Sequence, residues 1–215
     1  MDKSFSIIAV DDKPETLEPV LYAVQQMLGL DGISIHYSIL SKQDEVDHLI
    51  ERPCDIVMFD CALSGENYNF QGNEESRFGF TLLQQYREKN RRTKIIFYSG
   101  SFNFDGEGDF DLSAQDFVQI INDLNVFAIC NREVPRLCKA IKSAIENLDT
   151  VLISLEDLIY HYGENGTFYI NNTPVSAQEL LTQLRLGSEI GEAFREEIYS
   201  TIISYFMKFG EEEKQ

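Results

Sequence analysis

A doubly wound α/β domain followed by a small, mainly helical module is the fold class the sequence predicts. Three observations predict it. Five short apolar runs alternate with amphipathic stretches over residues 1–149. Four of those runs are nearly unbroken, as suits parallel strands covered on both faces. After residue 149 the alternation stops and helical spacing takes over.

The strand candidates are Phe5–Val10, Ile33–Ser38, Asp55–Phe59, Lys94–Tyr98 and Val126–Cys130. Between them lie helical stripes. Leu17, Val20, Leu21, Val24 and Leu28 form the first, and Val46, Leu49 and Ile50 a weaker second. Phe80, Leu83 and Tyr86 follow, and then Ala114, Phe117, Val118, Ile121 and Leu124. Val134, Leu137, Cys138, Ile141, Ile145 and Leu148 make the longest stripe. The pattern reads (βα)₅, with ligands expected at the carboxyl ends of the strands. Two connections are long for such a fold, Ser64–Arg77 and Ser101–Leu112, and both leave the sheet at that end.

Residues 150–215 form the second module, an interaction module with a short hairpin. Thr150–Tyr162 reads as a helix, Thr167–Ile170 as a strand and Asn171-Asn172 as a turn. Ser176 and Glu179 form a capping box that opens Leu180–Leu184. Glu189–Lys208 is the final helix, with Ile190, Phe194, Ile198, Ile202 and Phe206 on a face expected to enter the core. Tyr199, Tyr205 and Met207 widen that face enough for a homodimer or partner contact. The charged tail Glu211–Gln215 is expected to fray.

The formal charge is −18, with 36 acidic residues against 18 basic ones. This balance argues against general attraction to nucleic acid or an anionic membrane, and the second module has four bases against eleven acids. Neither partner is expected. No apolar run reaches the roughly 20 residues of a membrane span, and the N-terminus does not read as a signal peptide. Cys54, Cys61, Cys130 and Cys138 form no CxxC pair, which predicts free thiols and a cytoplasmic location. His36, His48 and His161 lie at no zinc-ligand spacing from them.

Asp11-Asp12 closes the first strand and Asp60 the third. In a parallel sheet of order 2-1-3-4-5 those strands are neighbours, so the three carboxylates converge at the switch point. Such a set suits a hard divalent cation, Mg²⁺. Ser99-Gly100 ends the fourth strand and adds a hydroxyl to the same edge.

Four segments now stand in order: Ile8-Ala9-Val10-Asp11-Asp12-Lys13-Pro14-Glu15-Thr16-Leu17, Cys54-Asp55-Ile56-Val57-Met58-Phe59-Asp60, Phe78-Gly79-Phe80-Thr81-Leu82-Leu83 and Lys94-Ile95-Ile96-Phe97-Tyr98-Ser99-Gly100. With them the chain resembles, over about residues 4–148, the flavodoxin-like receiver domain of two-component response regulators. The resemblance implies that Asp60 is the phosphoacceptor, Asp12 a direct Mg²⁺ ligand and Asp11 an acid acting largely through water. It implies the main-chain carbonyl of Ala62 as a further ligand, Ser99 as the switch hydroxyl and Phe127 as the switch aromatic. It also implies a histidine kinase or phosphotransfer protein as donor, and no enzymatic output beyond the receiver's own phosphorylation and dephosphorylation.

The sequence departs from that pattern in two places. The lysine expected at the end of strand five falls on Cys130, Asn131 or Arg132, of which Arg132 is the cation. The proline expected after the acceptor is missing, with Ser64 in its loop.

Three readings follow. The first is a phospho-accepting regulator with a protein-binding output. The second is a degenerate receiver serving as a phosphorylation-independent adaptor, favoured by the missing lysine. The third, a phosphatase of the haloacid dehalogenase type, lacks the Asp-x-Asp of strand one and ranks last.

Two weaker signals read as solvated surface. Asp105, Glu107, Asp109, Asp111 and Asp116 have calcium-loop spacing, but Phe110 stands where a glycine is needed. Arg87, Lys89, Arg91, Arg92 and Lys94 read as the charged end of a helix.

Overall fold

The computed structural model describes residues 4–42, 45–46, 48–49, 52, 54–61, 63, 78–100, 114–163 and 166–210. Both long connections, Ala62, Ile50, the calcium-like spacing up to Asp111 and the tail from Glu211 lie outside the described residues. The chain divides into two compact units, Met1–Leu148 and Asp149–Gln215.

In the first unit the elements run β1 (Ser4–Val10), α1 (Pro14–Leu30), β2 (Ser34–Leu40), β3 (Ile56–Asp60), α2 (Phe78–Lys89), β4 (Lys94–Ser99), α3 (Ala114–Asn122), β5 (Ala128–Asn131) and α4 (Val134–Glu146). The five strands pair in parallel in the order β2-β1-β3-β4-β5. β3 is buried throughout, as its unbroken apolar run predicts, whereas β2 alternates at the sheet edge. β3 extends through Asp60 and β4 through Ser99, so both side chains end their strands instead of following them.

Alternation along the strands divides the core into two layers. Ile8, Val10, Val57, Phe59, Ile95 and Phe97 pack with Leu82, Leu83 and Tyr86 of α2 and with Ile120 and Leu124. On the opposite face, Ile7, Ala9, Ile56, Met58, Ile96 and Tyr98 pack with Leu17, Leu21, Val24 and Leu28 of α1 and with Leu137 and Ile141 of α4. Val46 and Leu49, the weaker stripe, are buried in the first layer. The face predicted for α3 is corrected. The helix ends at Asn122, so Leu124 reaches the core from the turn, Ile120 is the buried helical residue, and Val118 and Ile121 are more than half exposed.

The basic run is corrected at its first member. Arg87 is buried and donates from Nε to the Leu124 carbonyl at 2.6 Å, from Nη1 to that of Asn90 at 2.9 Å and from Nη2 to that of Asn125 at 2.9 Å. Three carbonyl dipoles hold the charge in place, while burial lowers its pKa to about 10.

The second unit is built from α5 (Thr150–Tyr162), a β6 (Thr167–Ile170)–β7 (Thr173–Ser176) hairpin, α6 (Ala177–Leu186) and α7 (Glu189–Gly210). Asp149 belongs to it: Oδ1 caps α5 by accepting from the Leu152 N–H at 3.1 Å, and the carboxylate takes Arg195 at 2.6 and 2.7 Å. Asn171 and Asn172 have φ of 50° and 65°, the left-handed pair that a tight two-residue hairpin requires. Ser176 caps α6 through the Glu179 N–H. α7 crosses α6 at Gly191, where a Cβ would lie 2.6 Å from the Gln183 carbonyl oxygen. Leu152, Leu155, Ile170, Val175, Leu180, Leu184 and Phe194 form the core, and the buried Glu156 and Arg185 pair at 2.9 Å.

The apolar face of α7 is also corrected. Phe194 is buried and Ile198 packs against the core, but Tyr199, Ile202, Ile203, Tyr205, Phe206 and Met207 are exposed. Its last described turns keep helical spacing while their large apolar side chains stay exposed.

Candidate functional site

The sheet register brings the predicted acids together. β1 pairs with β3 from Ile7↔Ile56 to Val10↔Phe59, which sets Asp11 and Asp60 beside each other as the next residues on neighbouring strands. Asp11, Asp12 and Asp60 are all buried, and one carboxylate oxygen from each lies within 4.8 Å of the other two. Among the described residues this is the one group of three such side chains close enough to share an ion. At an effective dielectric near 20, each pair of unit charges at that spacing repels by about 3 kcal/mol. Three hard oxygen donors that repel one another fit a divalent cation of the Mg²⁺ type.

Asp11 is fully buried and its oxygens are held by three donors. Oδ1 accepts from the Lys13 N–H at 2.7 Å. Oδ2 accepts from the Tyr98 hydroxyl at 2.7 Å and from Arg132 Nη1 at 3.4 Å. Burial raises its pKa above the ordinary 3.8, and the Asp12 charge adds to the rise, while the Tyr98, Lys13 and Arg132 contacts oppose it. Burial first, then the charges of Asp11 and Asp60, pushes the Tyr98 phenol well above its usual range, so it stays a neutral donor.

Strand alternation also explains the end of β5. Cys130 packs on the Tyr98 face of the sheet, and Arg132, two residues on, turns to Asp11 on that side. Arg132 also donates from Nη1 to the Thr16 hydroxyl at 3.0 Å. Its guanidinium lies over Gly100, where a Cβ would come within 3.1 Å of Nη2. Asn131 pairs with Ser99 in the ladder, and its buried Oδ1 has no hydrogen-bond partner among the described residues.

Ser99 is fully buried, and its carbonyl accepts from the Arg132 N–H at 2.8 Å. It also contacts Cys61, whose buried thiol is pushed far above its usual pKa, mainly by burial. Gly79 at the start of α2 meets the main chain of Asp60: a Cβ there would collide with the Asp60 carbonyl oxygen. Only glycine lets the helix approach the strand end so closely.

Phe127 is not brought to this edge. It precedes β5, donates its N–H to the Ile95 carbonyl, and has its ring 5.2 Å from Lys94 Nζ at the start of β4. Asp60 and Ser99 stand at the opposite, carboxyl ends of their strands. Ala62 lies outside the described residues. Tyr98, Thr16 and the Gly79 approach are site features that sequence reasoning missed. Tyr98 had one available signal, a phenol immediately before Ser99 at the end of an apolar run.

No protein-family model matches the chain, and no curated protein matches it. Among solved structures, the receiver domain of AraT from Geobacillus stearothermophilus aligns at 14% identity over 66% of this chain and 94% of that one, with a TM-score of 0.42. A LuxR-family DNA-binding response regulator from Staphylococcus aureus aligns at 16% identity over 65% and 98%, also at 0.42. RcsB from Salmonella enterica serovar Typhimurium, bound to promoter rprA in the presence of the phosphomimetic BeF3-, aligns at 15% identity over 97% and 92%, at 0.43.

The exclusion of nucleic acid as a partner is withdrawn, since RcsB, which aligns over 97% of this chain, is itself bound to a promoter. That exclusion rested on net charge, which sums over the whole chain, whereas phosphate contacts come from a few side chains on one surface. No helix among the described residues is long and apolar enough to cross a membrane. The strand order β2-β1-β3-β4-β5, with helices on both faces, gives the first unit the flavodoxin-like fold of response-regulator receiver domains.

Proposed function

We propose that the chain is a phospho-accepting receiver, in which Asp60 takes a phosphoryl group from a histidine kinase or phosphotransfer protein in the presence of Mg²⁺. The observation that carries this reading is the convergence of Asp11, Asp12 and Asp60, buried and within 4.8 Å, on two adjacent strand ends. Asp12 and Asp60, with the main-chain carbonyl of Ala62, would hold the ion directly and Asp11 largely through water. The ion, when bound, neutralises oxygens that approach the carboxylates. A carboxylate oxygen of Asp60 forms the new bond to phosphorus as the donor's nitrogen–phosphorus bond breaks. Ser99 ends the next strand and supplies a hydroxyl to a phosphoryl oxygen. Arg132, beside Asp11, takes the role of the missing lysine as the nearby cation.

Intact-mass measurement after treatment with acetyl phosphate and Mg²⁺ tests the reading. The expected result is the addition of one phosphoryl group, mapped to Asp60 and absent in Asp60→Asn. No adduct, together with no Mg²⁺ binding at the acid triad, overturns it in favour of the phosphorylation-independent adaptor.

A further inference from the structure

We infer that Tyr98 is a positioning residue of the metal site: its buried hydroxyl fixes the carboxylate of Asp11 and with it the geometry that the acid triad offers to Mg²⁺. This inference rests on the triad being a Mg²⁺ site.

Tyr98 is fully buried among apolar side chains of the α1 and α4 layer. A phenylalanine would fill that space without a polar atom to satisfy, whereas an unbonded buried hydroxyl costs about 1–3 kcal/mol. The hydroxyl therefore demands a partner, and the partner is a carboxylate of the triad, 2.7 Å away, instead of a main-chain carbonyl. The reach is specific to tyrosine. Tyr98 stands on β4 and Asp11 follows β1, with β3 between them. Two strand spacings are about 10 Å. A short hydroxyl side chain on β4 cannot span its share of that gap, and a phenol can.

The contacts on Asp11 come from three directions: Lys13 N–H at the start of α1, Tyr98 from β4 and Arg132 from beyond β5. Two of these donors can yield. Arg132 is partly exposed and sits at 3.4 Å, and the Lys13 contact belongs to a local turn. Tyr98 has no freedom of this kind, because its ring is packed on all sides. It sets the side-chain torsions of Asp11. A carboxylate offers roughly four acceptor sites, so three donors leave capacity for a metal-bound water. Partners that orient a metal-binding carboxylate commonly change metal affinity by about 10- to 100-fold when removed.

Mg²⁺ titration of the full chain by calorimetry, on wild type, Tyr98→Phe, Asp11→Asn and the double variant, tests the inference. Tyr98→Phe keeps the ring and removes the hydroxyl. It is expected to weaken Mg²⁺ binding by about 10-fold while far-ultraviolet circular dichroism stays unchanged. In the Asp11→Asn background the same substitution is expected to add no further loss. Wild-type affinity in Tyr98→Phe, or an equal loss in the Asp11→Asn background, overturns the inference, the latter by showing that Tyr98 acts through packing. A wild type that binds no Mg²⁺ overturns the parent reading instead. A second measurement needs no variant: the buried, hydrogen-bonded Tyr98 hydroxyl proton is expected to give a slowly exchanging NMR resonance that shifts on Mg²⁺ addition. A resonance that stays fixed while the ion binds overturns the inference too.

Discussion

Gly79 packs against the main-chain carbonyl of Asp60 so closely that a Cβ would collide with the carbonyl oxygen. The atom in the way belongs to backbone, which cannot rotate aside as a flexible side chain does. Gly79→Ala must therefore move either the start of α2 or the end of β3. The expected cost is about 1–3 kcal/mol, read by urea unfolding. Chemical shifts at Asp60 and Cys61 should move with it. An alanine variant as stable as wild type would show that the contact relaxes freely.

Arg87 holds the carbonyls of Asn90, Leu124 and Asn125. Arg87→Met keeps much of the apolar stem and removes all three bonds, leaving the carbonyls short of donors. A loss of about 3 kcal/mol is expected in denaturant unfolding. Arg87→Lys should recover only part of it, since one ammonium lacks the planar fork that reaches three acceptors.

The pH dependence of stability should carry the signature of Asp11. Its folded pKa lies above the 3.8 of an exposed carboxyl, chiefly through burial. Between the two values the folded state binds more protons than the unfolded one, so stability falls as pH rises through that window. The contribution is fully present below pH 3.8 and is lost once the folded carboxyl ionises. Without added metal, wild type should thus lose stability relative to Asp11→Asn as pH climbs from that value towards neutrality. Parallel curves for the two proteins would contradict the sign.

The second unit separates residues that share a hydropathy pattern. Leu184 is fully buried, and Leu184→Ala should cost about 2–5 kcal/mol. Ile202 and Phe206 are 46% and 70% exposed, so Ile202→Ser and Phe206→Ser should stay within about 0.5 kcal/mol of wild type. Thermal unfolding of the three variants checks this contrast.

The sheet and the acid triad were legible because strand burial and strand-end aspartates leave a local trace. β3 and β4 read as unbroken apolar runs, and the order of the strands then brings Asp60 beside Asp11. What the sequence withheld depends on distance along the chain. Tyr98 reaches an acid 87 residues away, and the one trace in its own run, a phenol just before Ser99, does not name that partner. Arg87 reads as the basic end of a helix because two of its three carbonyl partners lie 37 and 38 residues on. The outer turns of α7 keep the spacing of a core helix while their large apolar side chains stay exposed. Phe127 is the switch aromatic that the receiver resemblance implies, and it lies just before β5, beside Lys94 at the start of β4.

The partners of Arg87 have a genetic consequence. An ion pair can be swapped or reversed by a second mutation, because its partner is a side chain. The acceptors of Arg87 are main-chain carbonyls, which every residue type carries alike. No substitution at residues 90, 124 or 125 restores what the loss of this guanidinium removes. A defect at Arg87 therefore has no allele-specific suppressor among its contacts, and revertants should recover the arginine itself or add stability elsewhere in the domain.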